Sequence, residues 1–294
     1  MAHVLVTGAS GFLGSHIADA LSMQGHQVSL FDRVPSPYLR DDQQMILGDI
    51  TDKASVEKAV AGQEYVYHLA ALADLNAAKT RPVDTVEINV LGTVNLLKAC
   101  VDAGVKQFMF GSSVYVFSRE GGFYRCSKQA CESYVEEFQN RYGLDYTILR
   151  YGSLYGTRTD MANGVYRLLY RYMNETEMSY PGTSSDRREY IHVLDAAKLS
   201  AQVIDRREET TNKTYVITGN DHLAISDLFK MFGEILDRKV TLDFVGDREQ
   251  TSGHYSITPY SYTPKLGRKM VTNEYVDMGQ GLIELIADIQ NQQK

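Results

Sequence analysis

The sequence predicts an α/β protein in which a doubly wound parallel sheet carries a smaller C-terminal lobe. Three observations predict it. Short apolar runs alternate with amphipathic stretches through the first half of the chain. A glycine-rich turn follows the first of those runs directly. After Tyr151 the rhythm weakens, tyrosine becomes frequent and turn residues are denser. Alternation of this kind marks parallel strands joined by helical crossovers.

The strands are read in order from "HVLVT" (3–7), "QVSLF" (27–31), "QMIL" (44–47), "YVYHLA" (65–70), "QFMFG" (107–111) and "DYTILR" (145–150). Several are apolar on both faces, as strands buried between two helix layers must be. "TYVIT" (214–218) reads as a further strand added late to the same sheet. Two helices, 82–103 and 124–142, carry apolar residues on more than one face, and the second stops at Gly143. A helix packed only on a sheet needs one apolar stripe. The extra surface predicts a homodimer formed through these two helices. The expected division is 1–150 for the sheet domain, with segments near 190–218 returning to it, and 151–294 mainly for the second lobe.

Composition narrows the function. The chain has 294 residues, 44% hydrophobic and 23% charged, with net charge −7. An acidic balance argues against nucleic acid as a partner, which requires a basic face. No leader and no apolar run approaching about 18 residues is present, so neither secretion nor a membrane span is expected. The three cysteines, Cys100, Cys126 and Cys131, form no C-x-x-C pair. That argues against a disulfide framework or a metal site and for a reducing cytoplasm. Cys126 lies between Tyr124 and Lys128 and is expected to be a buried or partly buried bystander.

"VLVTGASGFLGSHIADAL" joins the first strand to a helix and spaces Gly8, Gly11 and Gly14 as G-x-x-G-x-x-G. Glycine allows the tight turn and a close backbone approach to a pyrophosphate, while the helix N-terminus offers free N–H groups to that anion. Asp32 ends the second strand, where an acid can accept hydrogen bonds from ribose hydroxyls. It would repel a 2′-phosphate, which favours NAD over NADP. Arg33 beside it could serve a 2′-phosphate or point into solvent. "GDI" (48–50) sets Asp49 near an adenine amino group and Ile50 against the ring.

Seven motifs occur in one order: "TGASGFLG", "GDI", "HLAA" (68–71), "NVLGTVNLL" (89–97), "YRCSK", "LRYGSLYG" (149–156) and "RREYIHVLDAA" (187–197). With them the chain resembles, over nearly its full length, the extended short-chain dehydrogenase/reductases, specifically the NAD-dependent nucleotide-sugar epimerase/dehydratase family. The resemblance implies a Rossmann-type sheet. It also implies that Gly8, Gly11, Phe12, Leu13 and Gly14 line the pyrophosphate, that Asp32 with Arg33 lies at the ribose, and that Asp49 and Ile50 hold the adenine. Leu69, Ala70, Ala71 and Tyr151 would pass beside the cofactor, with Asn89 bracing the catalytic region. Ser113, Tyr124 and Lys128 would be catalytic, with Tyr124 and Lys128 also on the cofactor. Ser113, Ser153, Tyr180 and Arg188 would meet the substrate, Arg188 gripping a nucleotide diphosphate and Tyr180 stacking on its base.

A free tyrosine has a pKa of about 10, and a useful base near neutrality needs roughly 4 kcal/mol of help. Lys128, at i+4 from Tyr124, could supply on the order of 3 kcal/mol, and a cationic nicotinamide the remainder. Tyr124 would then take a proton from a sugar hydroxyl that Ser113 holds. Taken alone, the pair could equally be an ordinary exposed helical pair. His68 and His192 read as structural histidines, and "DRREE" (205–209) as a solvated turn.

The sequence departs from the resemblance in four places. The segment between Ser113 and Tyr124 is short, so the site is open or roofed from elsewhere. Val114 and Tyr115 replace the Asp-Glu pair that a 4,6-dehydratase needs. Ser153 stands where an Asn is common. The tail "HYSITPYSYTPKLGRKM" (254–270) lines an altered site or caps the lobe. The resulting expectation is a cytoplasmic NAD-dependent epimerase acting at C4 of a UDP-sugar, serving surface-polysaccharide precursors. A net nucleotide-sugar dehydrogenase or reductase, and a non-catalytic NAD-binding sensor, are the alternatives.

Overall fold

Six parallel strands build the sheet from the N-terminal half of the chain: β1 (His3–Thr7), β2 (Gln27–Asp32), β3 (Gln43–Leu47), β4 (Tyr65–His68), β5 (Gln107–Ser113) and β6 (Tyr146–Tyr151). They are seen in a computed structural model that describes residues 1–247, 255–262 and position 283. Short strands β7 (Ser153–Tyr155), β8 (Glu177–Tyr180) and β9 (Arg187–His192) follow, then β10 (Lys213–Ile217), β11 (His222–Ala224) and β12 (Thr241–Phe244). The main sheet has seven strands in the order β10-β6-β5-β4-β1-β2-β3. All its pairings are parallel. The order reverses between β1 and β4, the position at which such sheets open a crevice at their carboxyl ends.

The helices are α1 (Phe12–Met23), α2 (Lys53–Val60), α3 (Leu75–Thr80), α4 (Pro82–Thr85), α5 (Gly92–Ala103), α6 (Gly122–Tyr142), α7 (Gly164–Asn174), α8 (Val193–Asp205), α9 (Arg207–Thr210) and α10 (Ile225–Leu236). Ile17, Ala18 and Leu21 of α1 and Ala196, Ala197 and Ala201 of α8 cover one sheet face with Val4, Val6 and Leu30. Val56 of α2, Leu96 and Leu97 of α5 and Val135 of α6 cover the other with Leu5, Phe108 and Ile148. The two-sided apolar strands follow from this double cover. Among the described residues no helix is long and apolar enough to cross a membrane.

Three sequence expectations need correction. The helix expected over 82–103 is interrupted: α4 and α5 are joined by a π-helical turn, Val86–Leu91. The wider turn holds Asn89, whose side chain bonds outside the helix, as π turns at functional sites often do. Cys126 is exposed, while Cys100 and Cys131 are buried. The solvated turn at 205–209 instead includes the single helical turn α9, with Arg207 paired to Asp145 at 2.8 Å. His68 and His192 do have structural partners. His68 is buried between Thr7 and Thr93, at 2.7 and 2.9 Å, and His192 caps α8.

A separate small core joins α7, β8, α10 and β12. Tyr172, Met178, Tyr180, Phe229 and Phe232 fill it, with Phe244 alongside. Phe229 makes ring contacts with Tyr172, Tyr180, Phe232 and Phe244 at 6.0–6.2 Å. Replacing it leaves a cavity bounded by four rings. Phe229→Ala is expected to lower stability by about 3–5 kcal/mol in urea unfolding.

Candidate active site

The crevice at the switch point is a cleft of about 1050 Å³. Its floor is the glycine turn. Gly8 has φ +69°, and a Cβ there would lie 2.6 Å from the Ala70 nitrogen. A Cβ on Gly14 would lie 2.2 Å from the Gly8 carbonyl oxygen. Neither position admits a side chain, so the turn packs directly on the Leu69–Ala70 backbone. Thr7 fixes that wall too: its Oγ1 accepts the Leu69 and Ala70 N–H groups, both at 3.2 Å. No side chain caps α1, and no carboxylate lies in its first turn. The helix thus keeps its positive end for an anion.

Asp32 stands at the edge of this floor. Its carboxylate accepts N–H bonds from Ser10 at 3.0 Å and Arg33 at 2.7 Å, and it lines the cleft. Arg33 turns toward Asp49, at 3.9 Å, with the two side chains 69% and 36% exposed. Its charge is therefore partly matched without a 2′-phosphate. Asp49 also accepts from the Thr51 N–H and hydroxyl, at 2.9 and 2.8 Å. Phe12, Leu13, Ile50, Leu69, Ala70 and Ala71 complete the lining. The close-packed cradle, the uncapped helix and the acid at the β2 end fit a dinucleotide.

At the centre, the Ser113 hydroxyl at the end of β5 donates to the Tyr151 carbonyl at 3.5 Å and accepts from the Tyr115 N–H at 3.3 Å. It lies near enough to Tyr124, in the first turn of α6, to oppose the rise in that phenol's pKa. Lys128, one turn on, is buried, and its Nζ donates to the Gly111 carbonyl at 2.7 Å. The sequence argument had this ammonium making Tyr124 acidic. The chain's own residues do not do so. Lys128 lies 5.9 Å from the Tyr124 ring centroid and is committed to Gly111. Burial pushes Tyr124 up to about 12, offset only in part by the Ser113 hydroxyl. Burial also draws Lys128 down to about 8, against the pull of Cys131 and Glu132. Desolvation outweighs the single charge.

Two of the expected cofactor residues act from behind the wall. Asn89 is buried and does not line the cleft. Its amide pairs with the Leu72 backbone at 2.7 and 3.2 Å and donates to Ser127 at 2.9 Å, and Ser127 donates to the Tyr124 carbonyl at 2.8 Å. It thus braces the start of α6. The Tyr151 hydroxyl turns into the core, onto Ser200 at 2.7 Å, so only the residue's inner edge borders the cleft.

The far arm holds Arg188, Tyr180 and Ser153. Arg188 donates to the Tyr180 hydroxyl at 3.2 Å, while its Nε is shielded from solvent with no acceptor among the described residues. A buried donor with no partner is costly, and a diphosphate oxygen would satisfy it. Tyr180 packs edge-on against Phe229 and Phe244, so its ring is fixed from behind.

Tyr115, Tyr190 and Tyr255 also line this arm, and the sequence reading missed them as a group. Tyr255 packs on Tyr115 at 4.8 Å, lies 5.6 Å from the Arg188 guanidinium and meets Ser153 at 3.4 Å. It roofs the space that the short segment after Ser113 leaves. The signal was the tyrosine-rich tail, but no local pattern states where a tail returns. Of 254–270, His254 and 263–270 lie outside the described residues.

Behind the site, the buried carboxylate of Glu132 accepts from Ser112 at 2.6 Å, from Arg150 at 2.9 and 2.7 Å, and from Tyr262 at 3.2 Å. Arg150 lies against Phe117 and Tyr262, at 4.4 and 5.5 Å, and those two rings meet each other edge-on at 5.1 Å.

The profile of the NAD dependent epimerase/dehydratase family matches residues 4–218, and the chain belongs to that family. It is accordingly an enzyme of the extended short-chain dehydrogenase/reductase type, with NAD as cofactor. It is 29% identical over 248 residues to a putative UDP-glucose 4-epimerase of Methanocaldococcus jannaschii, covering 77% of this chain and 80% of that relative. Its fold is similar to the UDP-glucose 4-epimerase of Thermotoga maritima with UDP-glucose, at TM-score 0.75 and 27% identity, covering 82% and 85% of the two chains. The Thermus thermophilus UDP-glucose 4-epimerase in complex with NAD gives TM-score 0.72 and 27% identity, with 82% and 85% covered.

The Lys128 shift has a direct consequence. Its folded pKa lies below the unfolded value of 10.5, so the unfolded chain binds more protons between those values and stability rises with pH there. Relative to Lys128→Met, the NAD-free wild type is expected to gain on the order of 2 kcal/mol between about pH 8 and pH 10 in denaturant titrations. A flat difference would remove Lys128 from its buried position.

Proposed function

We propose that the protein is an NAD-dependent nucleotide-sugar epimerase acting at C4 of a UDP-sugar through a keto intermediate. One observation carries the reading. A single continuous cleft joins the glycine cradle, the Ser113 and Tyr124 hydroxyls and the Arg188 guanidinium, whose Nε has no acceptor among the described residues. That order matches a dinucleotide, a reacting sugar and a diphosphate laid end to end. The UDP-sugar epimerases to which the chain is similar support the same substrate class.

NAD, when bound in the cleft lined by Gly8, Gly11, Gly14 and Asp32, would supply a hydride acceptor and donor and a cationic ring. The chain's residues do the rest. Arg188 anchors the diphosphate, and Tyr180 presents a fixed ring to the base. Ser113 hydrogen-bonds the C4 oxygen, and Tyr124 takes its proton. Lys128 keeps the Tyr124 helix registered on β5 through Gly111. After the keto-sugar turns over in the cleft, Tyr124 returns the proton to the oxygen on the opposite face. Val114 and Tyr115 offer no carboxylate for water elimination.

Incubation with NAD and a panel of UDP-sugars should give a product of unchanged mass and inverted C4, seen by chromatography and NMR. Accumulating NADH would instead make the protein a net dehydrogenase. Tyr124→Phe is expected to abolish turnover with little change in NAD affinity; substantial residual turnover would remove Tyr124 from its role. Arg188→Met is expected to weaken UDP-sugar binding about 10- to 100-fold, the loss of a charge-assisted hydrogen bond to phosphate.

We also propose self-association through the helices over 82–142. Val83, Val86, Leu91, Phe123, Tyr134 and Tyr142 are left exposed there. Light scattering should report a dimer and Tyr134→Glu should weaken it; a monomeric wild type would refute this interface.

A further inference from the structure

One contact crosses the cleft where neither the hydroxyl pair nor the substrate arm requires it. Arg158, in the loop after β7, has φ +64°. A residue other than glycine enters that region only at a cost, so the contacts of this loop must offset it. Its Nη2 reaches the Asp19 carboxylate on α1 at 2.8 Å, and its guanidinium lies 4.5 Å from the centre of the Tyr38 ring, in the loop after β2. Beside it the Thr157 carbonyl accepts from the His16 ring, also on α1, at 3.1 Å. Three segments far apart in sequence are thereby tied across the first turns of α1.

The position of this tie sets its meaning. Arg158 and Tyr38 line the cleft together with Gly11, Phe12 and Asp32, whereas Asp19 does not. The tie therefore spans the stretch between the glycine turn and the ribose-facing acid. Arg158 Nη1 is shielded from solvent with no acceptor among the described residues, and the guanidinium is held by the ion pair and the ring.

We propose that Arg158, Asp19 and Tyr38 form a clasp over the dinucleotide and set the rate at which NAD leaves. The proposal rests on the reading of the cleft as an NAD site. A dinucleotide lying between Gly11 and Asp32 departs only after Arg158 parts from Tyr38 and Asp19. For an epimerase such retention is compatible with turnover, because the hydride removed from C4 is returned to C4 and no cofactor exchange is needed. For a net dehydrogenase the same clasp would limit every cycle.

The test is NAD release from the loaded protein, followed after a chase with excess labelled NAD, together with the NAD retained through desalting. Arg158→Met and Tyr38→Leu are each expected to speed release about tenfold, and Asp19→Asn about fivefold, from loss of a cation–π contact or a partly buried ion pair. Arg158→Met with Asp19→Asn should release no faster than Arg158→Met alone, because the two act as a unit. NAD-free melting identifies any variant that fails to fold. Asp19→Asn, near-isosteric and outside the cleft, keeps the test decisive if Arg158→Met does fail. Wild-type release rates in all three variants would overturn the clasp and leave the proposed function standing. So would fast release in Arg158→Met with none in Asp19→Asn, which would make Arg158 a direct ligand only. A wild type that binds no NAD would sink the cofactor reading and the clasp together.

Discussion

The site depends on one buried carboxylate. Glu132 sits on α6 one turn beyond Lys128 and holds Ser112, Arg150 and Tyr262 at once. These belong to β5, β6 and the returning tail. Ser112 precedes the Ser113 hydroxyl, so the register of β5 against α6 passes through Glu132. A buried ion pair adds little net stability over an apolar filling, but it is strongly destabilised when one partner is lost. Its value here is geometric: the strand bearing the serine and the helix bearing the tyrosine cannot slide independently.

The electrostatics of the centre follow from the same burial. Tyr124 is held protonated and Lys128 is held short of its usual basicity. Both shifts have desolvation as their first cause, and both favour the neutral form. The protein alone thus keeps its base unready. A positive charge placed in the cleft would lower the Tyr124 pKa, because low dielectric strengthens every charge that enters. His68 is buried in the same wall and held neutral there, first by burial and then by Lys128, so it does not compete for the proton.

Most of the main sheet was legible in the sequence because its strands are apolar on both faces. The short strands outside the main sheet were not. β7 and β11 have three residues each, too few for a period to show. The π turn at Val86–Leu91 escaped for a similar reason: one extra residue in a helical turn leaves the apolar pattern nearly intact. The glycine cradle was legible because strand, spacing and helix are contiguous. Tyr255 was not, since it meets Ser153 across 102 residues. The sequence estimate for Tyr124 counted a cation and omitted burial, which no spacing reports.

The closing of the main sheet by late segments also bears on how the chain is made. The Tyr67 and Tyr151 hydroxyls both bond to Ser200 on α8, and β10 adds its strand beyond β6. Until the ribosome has released residues past about 217, one face of the sheet lacks the α8 part of its cover and one edge its last strand. The emerging polypeptide therefore carries an unfinished, sticky layer until α8 and β10 have been made. Chaperone demand should peak in that interval rather than at the start.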